Sequence, residues 1–483
     1  MDTLQENKWH MQQATVEAMI PLIGKLYREQ QIICSVFGRS LINRSVSNIL
    51  QTHQYTKAEQ GNKLDVKDTL AFIKILLELK LKAARIDVGR LLIAWQTQSA
   101  ETSLAAFIKK QLTEVVGRQD LPKNTRDIVL YGFGRIGRLI ARILAESSDH
   151  PNGTNLKAIV VRKQKNHDDL RKRAALLGRD SIHGAFKGIV EFNEDANQII
   201  VNDNTVQIIY ADHPDKVDYS RYGIINAILI DNTGAWRDID GLKQHMTGSA
   251  ISKVLLTAPG KGTIKNIVYG INHDSLTESD TIVSAASCTT NAITPVLKLI
   301  NDNFIIVHGH IETVHAYTND QNLIDNYHRS DRRGRAAALN MVITETGAAK
   351  AVTKILPELA GKLTSNAIRV PIPNVSLAIL NLNLKKRVTM SDLNQFLYNR
   401  AFKSGLHRQI TVSTCQDAVS SDFIGSRYAG IIDAKATKTC GNNCILYVWY
   451  DNEFGYSCQV NRVLQQMAGT LLKEYPAYKD HFV

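Results

Sequence analysis

Apolar residues recur at three- and four-residue spacing through MQQATVEAMIPLIGKLYREQQIICSVFGRSLI, from Met11 to Ile42. That is the period of one helical face. The period returns in DTLAFIKILLELKLKAARIDVGRLLIAWQ, Asp68 to Gln96, with Asp68 and Gly89 as its bounding residues. A third run, SLAAFIKKQLTEVV, has Thr102 or Ser103 as a cap and Gly117 as its stop. No hairpin turn separates these runs, so residues 1–122 are expected to form an all-helical extension.

The pattern changes after a linker, GRQDLPKNT, from Gly117 to Thr125. DIVLYGFGRIGRLIARILAESS reads as strand, glycine turn and helix. NLKAIVVRK, VQIIYAD, AILIDNTG and KVLLTAPG are further apolar runs, each closed by a charged or turn residue. Strands alternating with helices predict a doubly wound parallel sheet, an α/β Rossmann-type domain over 126–286. Beyond it, IIVHGHIETVHAYT and VSLAILNLNLKK are longer alternating strands. They predict a mixed or antiparallel sheet in an α+β domain over 287–451. A C-terminal helix over 452–483 is expected to complete the first of these two domains.

Composition narrows the class without naming it. The 483 residues are 44% hydrophobic and 22% charged, ordinary values for a globular chain. No apolar run reaches the roughly 18 residues that span a bilayer, and MDTLQENKWH lacks a signal-peptide core. We therefore expect a cytoplasmic protein with no membrane partner. A net charge of +12 suits anionic ligands such as phosphorylated metabolites. There is no block of Lys and Arg of the kind that makes a nucleic-acid arm, so nucleic acid is not expected as a partner. The six cysteines are scattered, which argues for free thiols. Cys440 and Cys444 flank the turn GNN with no second pair or histidine cluster, and no metal is expected.

Two strings carry candidate chemistry. Gly132, Gly134 and Gly137 fit G-x-G-x-x-G between an apolar strand and a helix. That context suits a dinucleotide: one glycine for the turn, one for close approach of the pyrophosphate, one for helix–strand packing. The second strand ends on Arg162 and Lys163, where an acid would bind ribose hydroxyls. A guanidinium there suits a 2′-phosphate, so NAD and NADP are both open. The second string is SAASCTTNA, with Cys288 at the start of an expected helix and His315 further on. A thiol, an imidazolium to stabilise its thiolate, a helix N-terminus and a dinucleotide loop together describe aldehyde oxidation through a thioester.

GFGRIGR, DSIHG, SAASCTTN, TVHAYTNDQ, RRGRAAA, TGAAKAV, LPELAGKL, RVPIPNVS and WYDNEFGYS keep one order over residues 126–483. In them the chain resembles phosphorylating glyceraldehyde-3-phosphate dehydrogenase. The resemblance implies Cys288 as nucleophile and His315 as base. It implies a cofactor site of Gly132, Phe133, Gly134, Arg135, Ile136, Gly137, Arg162, Thr233, Thr257, Asn452 and Tyr456. Thr318, Asp320 and Arg369 would hold the substrate phosphate, with Asp320 orienting a neighbour. Ser287, Thr289, Arg335, Thr346 and Gly347 would receive the attacking phosphate. A homotetramer is implied, with glyceraldehyde 3-phosphate and inorganic phosphate as small-molecule partners.

Departures from the family pattern limit these expectations. Ala292 stands where many members have a second cysteine, and LIDNYHR lacks the Leu-Pro pair of many NAD-specific members. Extra residues lengthen the loop between Ser148 and Asn155. Residues 1–125 lie outside the resemblance. An erythrose-4-phosphate dehydrogenase is the alternative, and glycolytic or gluconeogenic direction stays open.

Overall fold

The computed structural model describes residues 2–60, 64–98, 102–117, 125–146, 153–164 and 168–477. Most of the 117–125 linker and the 148–155 loop lie outside them. The chain forms two compact units. One is Met1–Asn124 with Asp149–Asn152 and Leu471–Asp480; the other is Thr125–Ser148, Gly153–Thr470 and His481–Val483.

The first unit corrects the all-helical expectation. Helices Asp2–Gln30, Val46–Gln60, Val66–Glu78, Val88–Thr97 and Leu104–Gln111 accompany a four-stranded sheet. Its strands run in the order Arg39–Ser40, Ile32–Val36, Ala84–Asp87 and Glu474–Tyr475. IICSV is a short apolar run held between left-handed Gln31 (φ 58°) and Gly38 (φ 78°). Such a run fits a helical period and a strand equally well, and pairing decides between them. Ile32 to Ser35 align in parallel with Ala84 to Asp87. Asp87 then fixes the turn. Its carboxylate accepts from the amides of Phe37 (2.9 Å), Gly38 (2.6 Å) and Arg90 (3.1 Å), the last capping helix Val88–Thr97. Val16, Met19, Ile23 and Leu26 form the buried face of the first helix and join Phe72, Ile73, Leu76 and Ile86 in one core.

The C-terminal expectation is corrected as well. The helix is Phe454–Ala468, stopped by Gly469 in the left-handed region (φ 66°). Past it, Glu474 and Tyr475 pair in parallel with Arg85 and Ile86, so the chain's end completes the sheet of the first unit. Tyr475 is buried in that unit's core, and its hydroxyl donates to Glu114 (3.1 Å).

In the second unit, nine strands make one sheet. Their order is Lys265–Asn266, Ile282–Ser284, Ile251–Leu256, Ala227–Asp231, Arg126–Tyr131, Thr154–Val161, Asn204–Tyr210, Gln198–Val201 and Val190–Asn193. All pairs through Asn204–Tyr210 are parallel, and the last two are antiparallel. The strand order reverses beside Arg126–Tyr131, and a crevice outside the carboxyl ends is expected at such a point. The other sheet is mixed. It runs Val342–Thr344, Leu363–Val370, Ile306–Ala316, Ser376–Leu384, Asn443–Tyr450, Gly430–Asp433 and Ile410–Ser413. Lys438–Cys440 forms a hairpin with Asn443–Tyr450, which accounts for the Cys440/Cys444 spacing. All six cysteines are free.

The C-terminal strand makes the first unit's stability testable. Tyr475→Ala removes a buried aromatic and should cost that unit about 3–5 kcal/mol. Amides of 32–36 and 84–87 should then exchange faster by hydrogen–deuterium exchange, while those of 227–231 stay protected. Unchanged exchange at 84–87 would contradict the role given to this strand.

Candidate functional site

The glycine turn starts where strand Arg126–Tyr131 ends. Gly132 has φ 94°, a conformation that L side chains rarely adopt. At Gly137 a Cβ would lie 2.5 Å from the Gly132 carbonyl oxygen, so only glycine permits this approach of helix and strand. Gly134 caps helix Arg135–Ala145 and has open space where a side chain would stand. The helix N-terminus therefore meets an uncluttered cradle, which fits a pyrophosphate. Phe133 is buried and Ile136 packs against the domain core.

Neighbouring strand ends supply the rest of the crevice. Asp231, fully buried, accepts from the Thr233 amide and hydroxyl at 2.7 Å each. Its backbone oxygen accepts from the Thr257 amide (3.0 Å) and hydroxyl (3.1 Å). Asn452 has its carbonyl oxygen engaged by the Ser376 hydroxyl (2.9 Å), and Tyr456 donates to Ala286 O (2.9 Å). Arg162 follows the second strand with an exposed side chain, and Lys163 lies 5.4 Å over the Tyr210 ring.

Arg135 is committed elsewhere. Its guanidinium bridges Asp180 (Nη2 to Oδ1, 3.2 Å) and Glu453 (Nε to Oε1, 2.9 Å). His183 continues the cluster to Asp451 (3.0 Å). Only the Arg135 backbone remains for a ligand at the helix start. Asp180, His183, Asp451 and Glu453 had no assigned role. Their signal lay in DSIHG and WYDNEF, strings too short to say what each carboxylate faces.

Cys288 opens helix Cys288–Phe304, capped by the Ser287 hydroxyl, which accepts from Thr290 N (3.1 Å) and pairs with the Thr290 hydroxyl (2.7 Å). The thiol is 3.6 Å from His315 Nε2. His315 Nδ1 lies 2.7 Å from Ala316 O; with Nδ1 as donor there, Nε2 presents a lone pair to sulfur. Burial pushes the Cys288 thiol up, against the opposing pull of Arg369. Burial, then the Arg369 cation, hold His315 down to about 3. Both shifts oppose a separated pair of charges at this site. Proton transfer must accompany thiolate formation, with the new charges adjacent. Tyr450, unassigned from sequence, bonds the Thr289 hydroxyl (2.9 Å) and meets the His315 ring edge-on.

Arg369 aligns with His315 across parallel strands. It donates to Ala316 O (3.0 Å) and Thr318 Oγ1 (3.2 Å). Thr318 in turn donates to Asp320, which also receives Arg333 (2.9 Å). Burial would raise Asp320, but the Thr318 hydroxyl with Arg369 and Arg333 outweighs it and holds the carboxyl low. Arg333 thereby joins this group, and it reaches Thr344 as well (3.1 Å). Arg335 is exposed and donates to Asp325 (2.8 Å). Thr346 accepts from Ala348 N (3.3 Å), and Gly347 caps helix Ala348–Ile355. Among the described residues no helix is long and apolar enough to cross a membrane.

Comparison with known proteins places this geometry. The model described as "Glyceraldehyde 3-phosphate dehydrogenase, NAD binding domain" matches residues 126–239, and its C-terminal-domain counterpart matches 287–452. A glyceraldehyde-3-phosphate dehydrogenase-like protein of Pseudomonas aeruginosa is 54% identical over 462 residues, 95% of this chain and 100% of its own length. Glyceraldehyde-3-phosphate dehydrogenase 2 of Nostoc sp. is 39% identical over 335 residues, 69% of this chain and 96% of its own. The enzyme of Clostridium pasteurianum is 36% identical over 347 residues, 71% of this chain and 98% of its own. A thiol at a helix start, an imidazole beside it and a glycine cradle for NAD or NADP are thus found where these relatives align, and the chain belongs to the glyceraldehyde-3-phosphate dehydrogenase family of oxidoreductases.

Proposed function

We propose that this chain reversibly oxidises glyceraldehyde 3-phosphate to 1,3-bisphosphoglycerate, with NAD or NADP and inorganic phosphate. The observation that carries the reading is the 3.6 Å approach of Cys288 Sγ to His315 Nε2 beside Arg369. Cys288 forms a C–S bond to the aldehyde carbon, and its proton passes by way of His315 to the former carbonyl oxygen. The bound dinucleotide supplies the hydride acceptor. His315 takes the hydroxyl proton as the thiohemiacetal becomes a thioester. A phosphate oxygen then attacks the thioester carbon, the C–S bond breaks, and Cys288 leaves as thiolate and recovers its proton. Arg369 with Thr318, and Arg333 held by Asp320, supply positive charge and donors for the substrate phosphate. Ser287, Thr289, Thr346 and Gly347 are assigned to the attacking phosphate.

A homo-oligomer and a cytoplasmic setting accompany this reading. The deciding experiment is an initial-rate assay in phosphate-free buffer. Rates should rise saturably with added phosphate and yield acyl phosphate. Indifference to phosphate would favour a hydrolysing relative acting on erythrose 4-phosphate.

His315→Asn should lower kcat by about 10²- to 10⁴-fold and slow Cys288 alkylation by iodoacetamide at pH 7. Linkage adds an independent check. Between the ordinary value near 6.5 and about 3, the unfolded chain binds a proton that folded His315 refuses. Stability therefore falls as pH is lowered through that window, by up to about 1.4 kcal/mol per pH unit. Urea melts of His315→Asn should show a shallower decline than wild type between pH 6 and 4.5.

Cofactor choice turns on Arg162. If its guanidinium holds a 2′-phosphate, Arg162→Ala should raise KM for NADP about tenfold and leave KM for NAD alone. A silent substitution would make it a surface residue.

A further inference from the structure

Below the crevice, one histidine has no role in the reaction proposed above. His245 lies in the short helical turn Gln244–Met246, and its side chain is fully buried. Its Nε2 is 3.0 Å from Asp231 Oδ2. The other oxygen of that carboxylate holds the Thr233 amide and hydroxyl, and the Asp231 backbone holds Thr257. Its ring also packs edge-on against Tyr131, with centroids 4.7 Å apart. Tyr131 is the residue before Gly132, and its carbonyl accepts from Asn232 N (2.8 Å). From Asn232 the side-chain amide reaches Gly132 O (3.4 Å). One imidazole thus supports both the glycine turn and the loop Asn232–Gly234.

The Asp231 carboxylate is out of water and needs a donor on each oxygen. Thr233 satisfies one. Among the described contacts His245 satisfies the other. Without that donor the carboxylate can regain a bond by rotating, which releases Thr233, or by admitting water, which parts the loop from Tyr131. Either movement reaches the crevice and leaves Cys288 and His315 untouched.

We propose that His245 is a positioning residue for the dinucleotide: through Nε2 and Asp231 it fixes the Thr233 loop against the glycine turn in the shape that NAD or NADP binds. The inference rests on the cofactor reading of that crevice. It makes an atom-specific demand. The amide nitrogen of a glutamine can stand near the Nε2 position. That of an asparagine stands near Nδ1 and cannot reach Asp231. The two substitutions are otherwise alike in polarity and bulk, so a merely space-filling role would be disturbed by both.

The test is equilibrium titration of NAD and NADP by calorimetry on the full chain, for wild type, His245→Gln and His245→Asn, each checked for folding by circular dichroism. We expect His245→Gln to keep Kd within about threefold of wild type, and His245→Asn to weaken binding about tenfold or more. At saturating dinucleotide, kcat should stay within about twofold for both. Equal affinity in the two variants overturns the inference, as does failure of both to fold, which would make His245 a scaffold residue. A wild-type chain that binds neither dinucleotide removes the cofactor reading and this inference together.

Discussion

The second unit depends on one guanidinium. Arg135 is the first residue of the helix that follows the glycine turn, and it is clasped between Asp180 and Glu453. Glu453 precedes helix Phe454–Ala468 and adjoins Asn452, so the cofactor helix is tied to the chain that carries Asn452. All three groups are largely shielded from water. Burial would raise Asp180, but the His183 amide and Arg135 overcome that and keep its carboxylate ionised. Removing one member of such a cluster leaves charge buried without compensation, typically a cost of about 3–5 kcal/mol. That makes Arg135 unusable as a ligand for phosphate through its side chain. The cradle must work through backbone amides and the helix dipole, and for that reason Gly134 and Gly137 matter more than any nearby cation.

The same logic of burial governs the thiol. Shielding from solvent opposes charge on both Cys288 and His315. Arg369 has opposite effects on the two: it favours a thiolate and disfavours an imidazolium. In this arrangement the thiol proton has a possible acceptor 3.6 Å away at Nε2. Reactivity is thus tied to proton transfer within the pair.

Much of this was legible in sequence, but unevenly. The glycine turn, the parallel strands and Cys288 at a helix start were readable because each is a local pattern with a local physical cause. The N-terminal sheet was not. IICSV and ARID are short runs that fit within a helical period, and only their mutual pairing, across an intervening pair of helices, makes them strands. Arg333 and Arg335 are two residues apart in one basic loop, and nothing in the sequence says which turns toward Asp320 and which toward Asp325. His245 carried no signal at all, because its partner is defined by the crossover that brings the turn after Ile239–Lys243 beneath the sheet.

The end of the chain follows the same rule. A strand of two residues, Glu474–Tyr475, has no sequence signature, yet it closes one edge of the first unit's sheet and buries an aromatic ring in its core. A run this short gains little from its own hydrogen bonds; what holds it is the burial of Tyr475, roughly 25 cal/mol for each Å² of apolar surface removed from water. The first unit is therefore built from both ends of the polypeptide. Its N-terminal residues supply three strands and its C-terminal residues the fourth. A segment that takes an edge strand from about 390 residues downstream of its pairing partner cannot reach its full sheet until the intervening family core has been made. The extension's sheet thus draws on segments from both sides of the family core.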